Sequence, residues 1–265
     1  MDVDGVDTRY FEQGKGETVL LIYGGDMGSA EASTSAAIWE RNFAGLTRDF
    51  HVIAPDKLGQ GHTGNPKSDE EYTMHAVIQH MNGLIETLGL KQVHVVGHSR
   101  GGYLATRLTM EHGDKIKSTI IVDSGTLAPG IELNAVVLAN PPTPLLSREC
   151  QRWIYERYAY STEHITDELL DAVEAVAALP KYRECVRKMI EEDLKSTVFN
   201  PQLYGQRAQT LGELRDQGMG RPTHLIWGYN DPTASLAQGR VLYDLIAARE
   251  RNARYHVFNE AGHFT

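Results

Sequence analysis

Val93-His94-Val95-Val96-Gly97-His98-Ser99-Arg100-Gly101-Gly102 is the stretch whose reading decides the fold. A β-branched run leads into a serine between glycines, and Gly102 to His112 then carries apolar residues at spacings of three and four. Strand, sharp turn, helix is the context in which Gly-x-Ser-x-Gly signals a displayed nucleophile. The demand is steric, because so tight a turn tolerates only small residues beside the serine, and Gly97 and Gly101 supply them. The turn raises the Ser99 hydroxyl above the sheet, and the Arg100 N–H at the helix start points at a developing oxyanion. The plainer reading, a helix N-cap serine, fits less well with a strand before and a helix after.

Working outward, short apolar runs recur at Thr18 to Tyr23, His51 to Ala54, Ser118 to Val122, His224 to Trp227 and Tyr255 to Phe258. Such runs suit strands buried on both faces of a parallel sheet. Helical patterns such as Tyr72 to Leu88 alternate with them, which is the βαβ signature of an α/β fold. The alternation stops between Gly130 and Gly212, where Asn140-Pro141-Pro142-Thr143-Pro144 opens a helical stretch. Ser161-Thr162-Glu163-His164 and Thr166-Asp167-Glu168 offer caps, and Val173 to Leu179 continues as helix until Pro180. The expected organisation is a core of residues 1–129 and 213–265 with an inserted helical cap, or lid, of residues 130–212.

The chain has 265 residues, enough for one such domain with its insertion. At 41% hydrophobic and 23% charged, with a mean hydropathy of -0.36, it reads as globular. A formal net charge of -9 argues against nucleic acid as a partner, because that binding needs clustered Lys and Arg. Cys150 and Cys185 show neither zinc nor disulfide spacing. The start, Met1-Asp2-Val3-Asp4-Gly5, lacks a basic, then apolar, leader, and no apolar run is long enough to cross a membrane. The expectation is a soluble cytoplasmic protein whose partners are a small-molecule substrate and, at most, a second copy in a homodimer.

A serine needs a histidine to take its proton and a carboxylate to orient that histidine. In a strand-turn-helix architecture of this type the order is Ser, acid, His. Val257-Phe258-Asn259-Glu260-Ala261-Gly262-His263 puts His263 on a small-residue loop after the last strand; otherwise it is a solvated loop histidine. His224-Leu225-Ile226-Trp227-Gly228-Tyr229-Asn230-Asp231-Pro232 puts Asp231 just past a strand, making it the first choice of acid. Asp123, after Ile120-Ile121-Val122, is the alternative acid; Asp is also a common turn residue. Gly59-Gln60-Gly61-His62-Thr63-Gly64 matches a dinucleotide fingerprint, but Asn65-Pro66-Lys67-Ser68 follows where a helix would have to open. His62 and His98 fit no metal spacing, so neither metal nor cofactor is expected.

Together, Leu21-Ile22-Tyr23-Gly24-Gly25, Pro55-Asp56-Lys57-Leu58-Gly59-Gln60-Gly61-His62-Thr63, the Ser99 elbow and the Asp231 and His263 junctions resemble the α/β-hydrolase superfamily over nearly the whole chain. The nearest likeness is to the meta-cleavage product hydrolases, which cut a carbon–carbon bond in dienoates from aromatic ring fission. The resemblance implies an oxyanion hole of the Gly25 and Arg100 N–H groups. It also exposes departures. Those enzymes show His-Gly-Gly-Gly where this chain has Tyr23-Gly24-Gly25-Asp26, an Asn where Ala37-Ile38-Trp39-Glu40-Arg41-Asn42 stands, and an Arg on the cap where Asp171-Ala172-Val173-Glu174 stands. After the histidine they have Trp, where this chain has Phe264. Arg41, Asn42 and Arg157 are the candidate substitutes. The departures favour hydrolysis of an ester or lactone through an acyl-enzyme, with carbon–carbon hydrolysis the alternative. A slow-turnover ligand receptor is a third reading, and a member blocked by Tyr23 or Asp26 a fourth. Cap aromatics Trp153, Tyr155, Tyr158, Tyr160 and Tyr182 either line a pocket or pack the lid. Asp26, Trp153, Tyr158 and Phe264 are the candidate substrate contacts.

Overall fold

The computed structural model describes residues 1–265. A small antiparallel ladder, Asp2–Val3 (β1) with Val6–Asp7 (β2), precedes a seven-stranded sheet. Its strands are Tyr10–Gln13 (β3), Thr18–Ile22 (β4), His51–Pro55 (β5), Val93–His98 (β6), Ile116–Val122 (β7), Thr223–Gly228 (β8) and Arg254–Phe258 (β9). Spatial order is β3-β5-β4-β6-β7-β8-β9, with only β3 antiparallel to its neighbour. Between them run Glu40–Leu46 (α1), Met74–Thr87 (α2) and Arg100–Glu111 (α3), and Leu236–Ala247 follows β8.

The expected alternation is therefore present, for the expected reason. Leu20 and Ile22 enter one core with Val95, Ile121 and Leu225, while Val19, Leu21 and Tyr23 enter another with Val52 and Ala54. One strand thus buries both faces, which only a parallel sheet sandwiched by helices permits. The chain passes from β4 outward to β5, then returns to lay β6 on the other side of β4. That reversal opens a crevice at the carboxyl ends of β4 and β6, where ligands of open α/β sheets bind. No helix is long and apolar enough to cross a membrane.

The insertion is helical: Asn134–Val137 (α4), Arg148–Tyr158 (α5), Asp167–Ala178 (α6), Pro180–Ile190 (α7), a π-turn at Lys195–Phe199, and Asn200–Gln217 (α8). Thr166 caps α6 by accepting from Leu169 N–H at 3.2 Å, and Pro180 occupies the first turn of α7. The expected cap limit at residue 212 falls inside α8, which packs on α2 and on Leu236–Ala247 (α9) of the core. Gly59 to Gly64 forms a loop wrapped round Asp56, with His62 N–H donating to its carboxylate at 2.8 Å, and no helix opens on it.

Candidate active site

Ser99 stands between β6 and α3 at φ 55° and ψ −123°, a conformation that persists only when its surroundings impose it. Its N–H donates to Val122 O at 2.7 Å. A Cβ at Gly97 would lie 2.2 Å from Gly101 O, and one at Gly101 2.3 Å from Ile22 O, so contact with β4 and with the helix demands both glycines. The loop after β4 also closes in, since a Cβ on Gly24 would lie 2.7 Å from Ser99 Cβ. Gly25 is left-handed at φ 78°. The N–H groups of Gly25 and Arg100 have no acceptor within the chain, and both residues border the Ser99 cavity.

His263 is held from every side. Its N–H donates to Tyr158 O at 2.9 Å, and its ring stacks on Tyr158 with centroids 4.9 Å apart. Its Nδ1 lies 2.6 Å from Asp231 Oδ2. The other Asp231 oxygen accepts from Thr233 N–H, the Thr233 hydroxyl and Ala234 N–H at 2.7, 2.9 and 2.9 Å. Burial would raise the Asp231 pKa, but the His263 charge and these donors hold it below the ordinary carboxylate value. Burial would likewise lower His263, but the Asp231 charge and hydrogen bond outweigh it and hold the imidazole above its usual value. Asp123, the alternative acid, makes no hydrogen bond to His263; its Oδ1 accepts from Gly228 N–H at 2.7 Å. Ser99 and His263 border the same cavity without a hydrogen bond between them, as is common before a substrate complex forms.

The cavity has a volume of about 500 Å³. Of the candidate substrate contacts, Asp26, Tyr158 and Phe264 line it, but Trp153 does not; the Arg157 guanidinium lies over its ring at 5.0 Å. Tyr182 is fully buried, its hydroxyl 2.9 Å from Ser29 O, and acts in packing, whereas Tyr155 joins the lining. Arg41 donates instead to Glu163 O at 3.1 Å, and neither it, Asn42 nor Arg157 reaches the cavity. Tyr23 does not obstruct it either; its hydroxyl accepts from Lys57 N–H at 3.1 Å beneath the loop.

The sequence did not single out Lys195, Asn134, Asn200 and Tyr204, which line the cap side. Arg100 is committed to Asp26, Nε to Oδ1 at 2.5 Å, and to Glu132 at 3.8 Å. Lys195 forms no ion pair and is the uncommitted cation of the lining. His98 was also missed as a support. Its Nε2–H donates to His263 O at 2.6 Å, and burial, then the His263 charge, push its pKa down to about 3, so it stays neutral. Its position immediately before Ser99 was the one available signal.

An elbow serine, a buried imidazole–carboxylate pair and two free N–H groups over a parallel sheet define a serine-dependent hydrolase. The chain belongs to the α/β hydrolase fold family, which residues 17–265 match. It is 26% identical over 263 residues to the 2-hydroxymuconate semialdehyde hydrolase of Pseudomonas sp. strain CF600, covering 98% of this chain and 85% of that one. It is 25% identical over 264 residues to the 2-hydroxy-6-oxo-2,4-heptadienoate hydrolase of Pseudomonas putida strain F1, covering 98% and 87%. A solved meta-cleavage product hydrolase from Pseudomonas fluorescens IP01 superposes with a TM-score of 0.77 at 25% identity, covering 99% and 89%. The expected likeness to the meta-cleavage product hydrolases is borne out.

Proposed function

We propose that this enzyme hydrolyses a carbon–carbon bond beside a ketone in a ring-fission dienoate carrying one carboxylate. This reverses the preference for an ester or lactone drawn from the departures in sequence. The observation that carries it is Lys195, a cation on the cavity with no carboxylate of the chain to neutralise it. It supplies the anionic end of such a substrate with the partner that Asp171-Ala172-Val173-Glu174 lacks. The relatives named above, matched along almost the full chain, support the same reading.

In the proposed reaction the dienol first takes its keto form. Ser99 then gives its proton to His263 and adds to the distal ketone, and the oxyanion faces the Gly25 and Arg100 N–H groups. Collapse breaks the bond to the adjacent CH₂, whose electron pair leaves as a dienolate and takes the proton held by His263. Water, activated by the same imidazole, releases the acyl group as a carboxylic acid. Asp231 holds the ring throughout. Cys150 and Cys185, both buried as free thiols, accord with a reducing cytoplasm, and the cavity volume with a small-molecule substrate as partner.

Ester or lactone hydrolysis is the second reading, favoured by Ile38 and Phe264. Both line the cavity with carbon near where the resemblance places an Asn and a Trp, so an enol oxygen finds fewer partners. One side-by-side assay separates them: a coloured ring-fission dienoate, a short-chain aryl ester and a lactone, with wild type and Ser99→Ala. Fast dienoate cleavage that is lost in Ser99→Ala is expected. Turnover of ester or lactone with the dienoate untouched would overturn the proposal, and a single burst with a retained adduct would point to a receptor.

A further inference from the structure

Lys57 is buried directly beneath the loop that approaches Ser99, and nothing in the reaction above uses it. Its Nζ donates to Gly24 O at 2.9 Å and to Gly25 O at 3.0 Å, and lies 4.7 Å from the centroid of the Tyr23 ring. No carboxylate pairs with it. Burial pushes its pKa down to about 7, with the charge of Asp26 opposing and that of Arg100 assisting. A buried charge without a counter-ion is costly, and a neutral side chain would fill the space more cheaply. The charge therefore answers to something other than packing.

Peptide geometry shows what. The chain's one cis peptide is Thr143-Pro144, so Gly24–Gly25 is trans, and its C=O and N–H point in opposite directions. An ammonium that holds Gly24 O below thereby turns Gly25 N–H to the other side. That N–H has no acceptor in the chain, and Gly25 borders the cavity. The same ammonium holds Gly25 O, so the next N–H, that of Asp26, is turned away from Lys57 as well. Hydrogen bonding to the carbonyl also polarises the peptide and makes its N–H a stronger donor.

We propose that Lys57 is the positioning residue of the oxyanion hole: it aims and polarises the Gly24–Gly25 peptide so that Gly25 N–H meets the negative charge formed when Ser99 attacks. The inference rests on the reading of Ser99 as nucleophile and of Gly25 as an oxyanion donor. Lys57 touches no reacting atom, and its effect passes through one peptide plane. It belongs to the transition state more than to the bound substrate, so its loss lowers kcat and leaves KM nearly unchanged.

The test compares wild type, Lys57→Met, Lys57→Gln, Lys57→Arg and Ser99→Ala. The readouts are the rate of labelling by a fluorophosphonate, kcat and KM on whichever probe is turned over, the affinity of a trifluoromethyl ketone, and Tm. Loss of a single oxyanion donor typically costs ~10²–10³ in rate. A misaimed donor is expected to cost ~10–100-fold in labelling and kcat in the Met and Gln variants, with the ketone weakened in parallel. Lys57→Arg, which restores a cation, is expected to recover most of the loss. Should the Met variant fail to fold, the Gln variant, polar but uncharged and one atom shorter, carries the comparison. A folded neutral variant that labels and turns over like wild type overturns the proposal, as does a loss in Tm and KM alone. Labelling that persists in Ser99→Ala refutes instead the reading on which the inference rests.

Discussion

Asp231 and Asp123 are both buried aspartates at the carboxyl ends of adjacent strands, β8 and β7, yet they have become different acids. Asp231 meets an imidazole and three donors and stays ionised. Asp123 has one backbone donor and an unpartnered Oδ2, and burial lifts its pKa to about 7. Asp231 Oδ2 is bonded to the His263 ring, whereas Asp123 is bonded to Gly228 N–H and not to that ring. Asp231 also acts on the pH profile. In the proposed mechanism turnover requires neutral His263, whose pKa is held above the imidazole norm, so activity is expected to fall as pH drops through a value above the ordinary ~6.5. In Asp231→Asn the charge that raises that pKa is gone. The acid limb of kcat/KM is then expected to move to lower pH while the plateau falls by ~10³–10⁴. A limb that stays in place in the variant would dissociate Asp231 from His263. Chain order alone puts Asp231 ahead of Asp123, and it is Asp231 that lies against the His263 ring. The support from His98 was not legible, because it depends on a loop from the far end of the chain meeting β6.

The inner strands were legible because β4 and β5 send alternate residues into two cores, so an unbroken apolar run is their pattern; β3, exposed from Phe11 to Gln13, has no such run and was not read. The inserted segment reads as helical in sequence, and α8 runs through its expected limit. Gly212 reads in sequence as punctuation, but it sits in the interior of α8 with open space where a Cβ would be. The buried residues of α8, Leu203, Thr210 and Leu214, are too sparse to announce a continuous helix. The π-turn before it had no signal at all, though it places Lys195 on the cavity. That placement is testable at the level of the element. Removing a charge-assisted hydrogen bond costs ~1.5–3 kcal/mol, so Lys195→Ala is expected to raise KM for carboxylate-bearing substrates by ~10–100-fold. A neutral aryl ester gains nothing from the cation, and its KM is expected to be unchanged. Equal losses on both substrates would assign Lys195 to the cap's structure. Glu31 also lines the cavity without a cation partner, which favours one substrate carboxylate over two.

Cap and core meet along the segment that continues from the Gly24–Gly25 loop, and the joint is built from buried polar groups. Gln151 of α5, fully buried, accepts from Ser33 N–H at 3.1 Å and from the Ser33 hydroxyl at 2.8 Å. Ser33 Oγ is also 2.6 Å from Val173 O of α6. Tyr182 of α7 lies within 3.1 Å of Ala32 O, and Lys181 donates to Gln60 O at 3.1 Å. The lid therefore contacts the chain segment that continues from Gly25, and the proposed oxyanion role of Gly25 predicts that loosening this joint also lowers turnover. Gln151→Ala leaves the Ser33 N–H buried without an acceptor, at a cost of ~2–3 kcal/mol. For a chain of this size that corresponds to a fall in Tm of ~4–10 °C. With these buried polar bonds tying cap to core, wild type and variant are both expected to melt in a single transition by calorimetry and far-UV dichroism alike. The variant's kcat is expected to fall even where it is fully folded. A separate, earlier transition for the cap, or a folded variant with wild-type kcat, would show that lid and oxyanion loop are held independently.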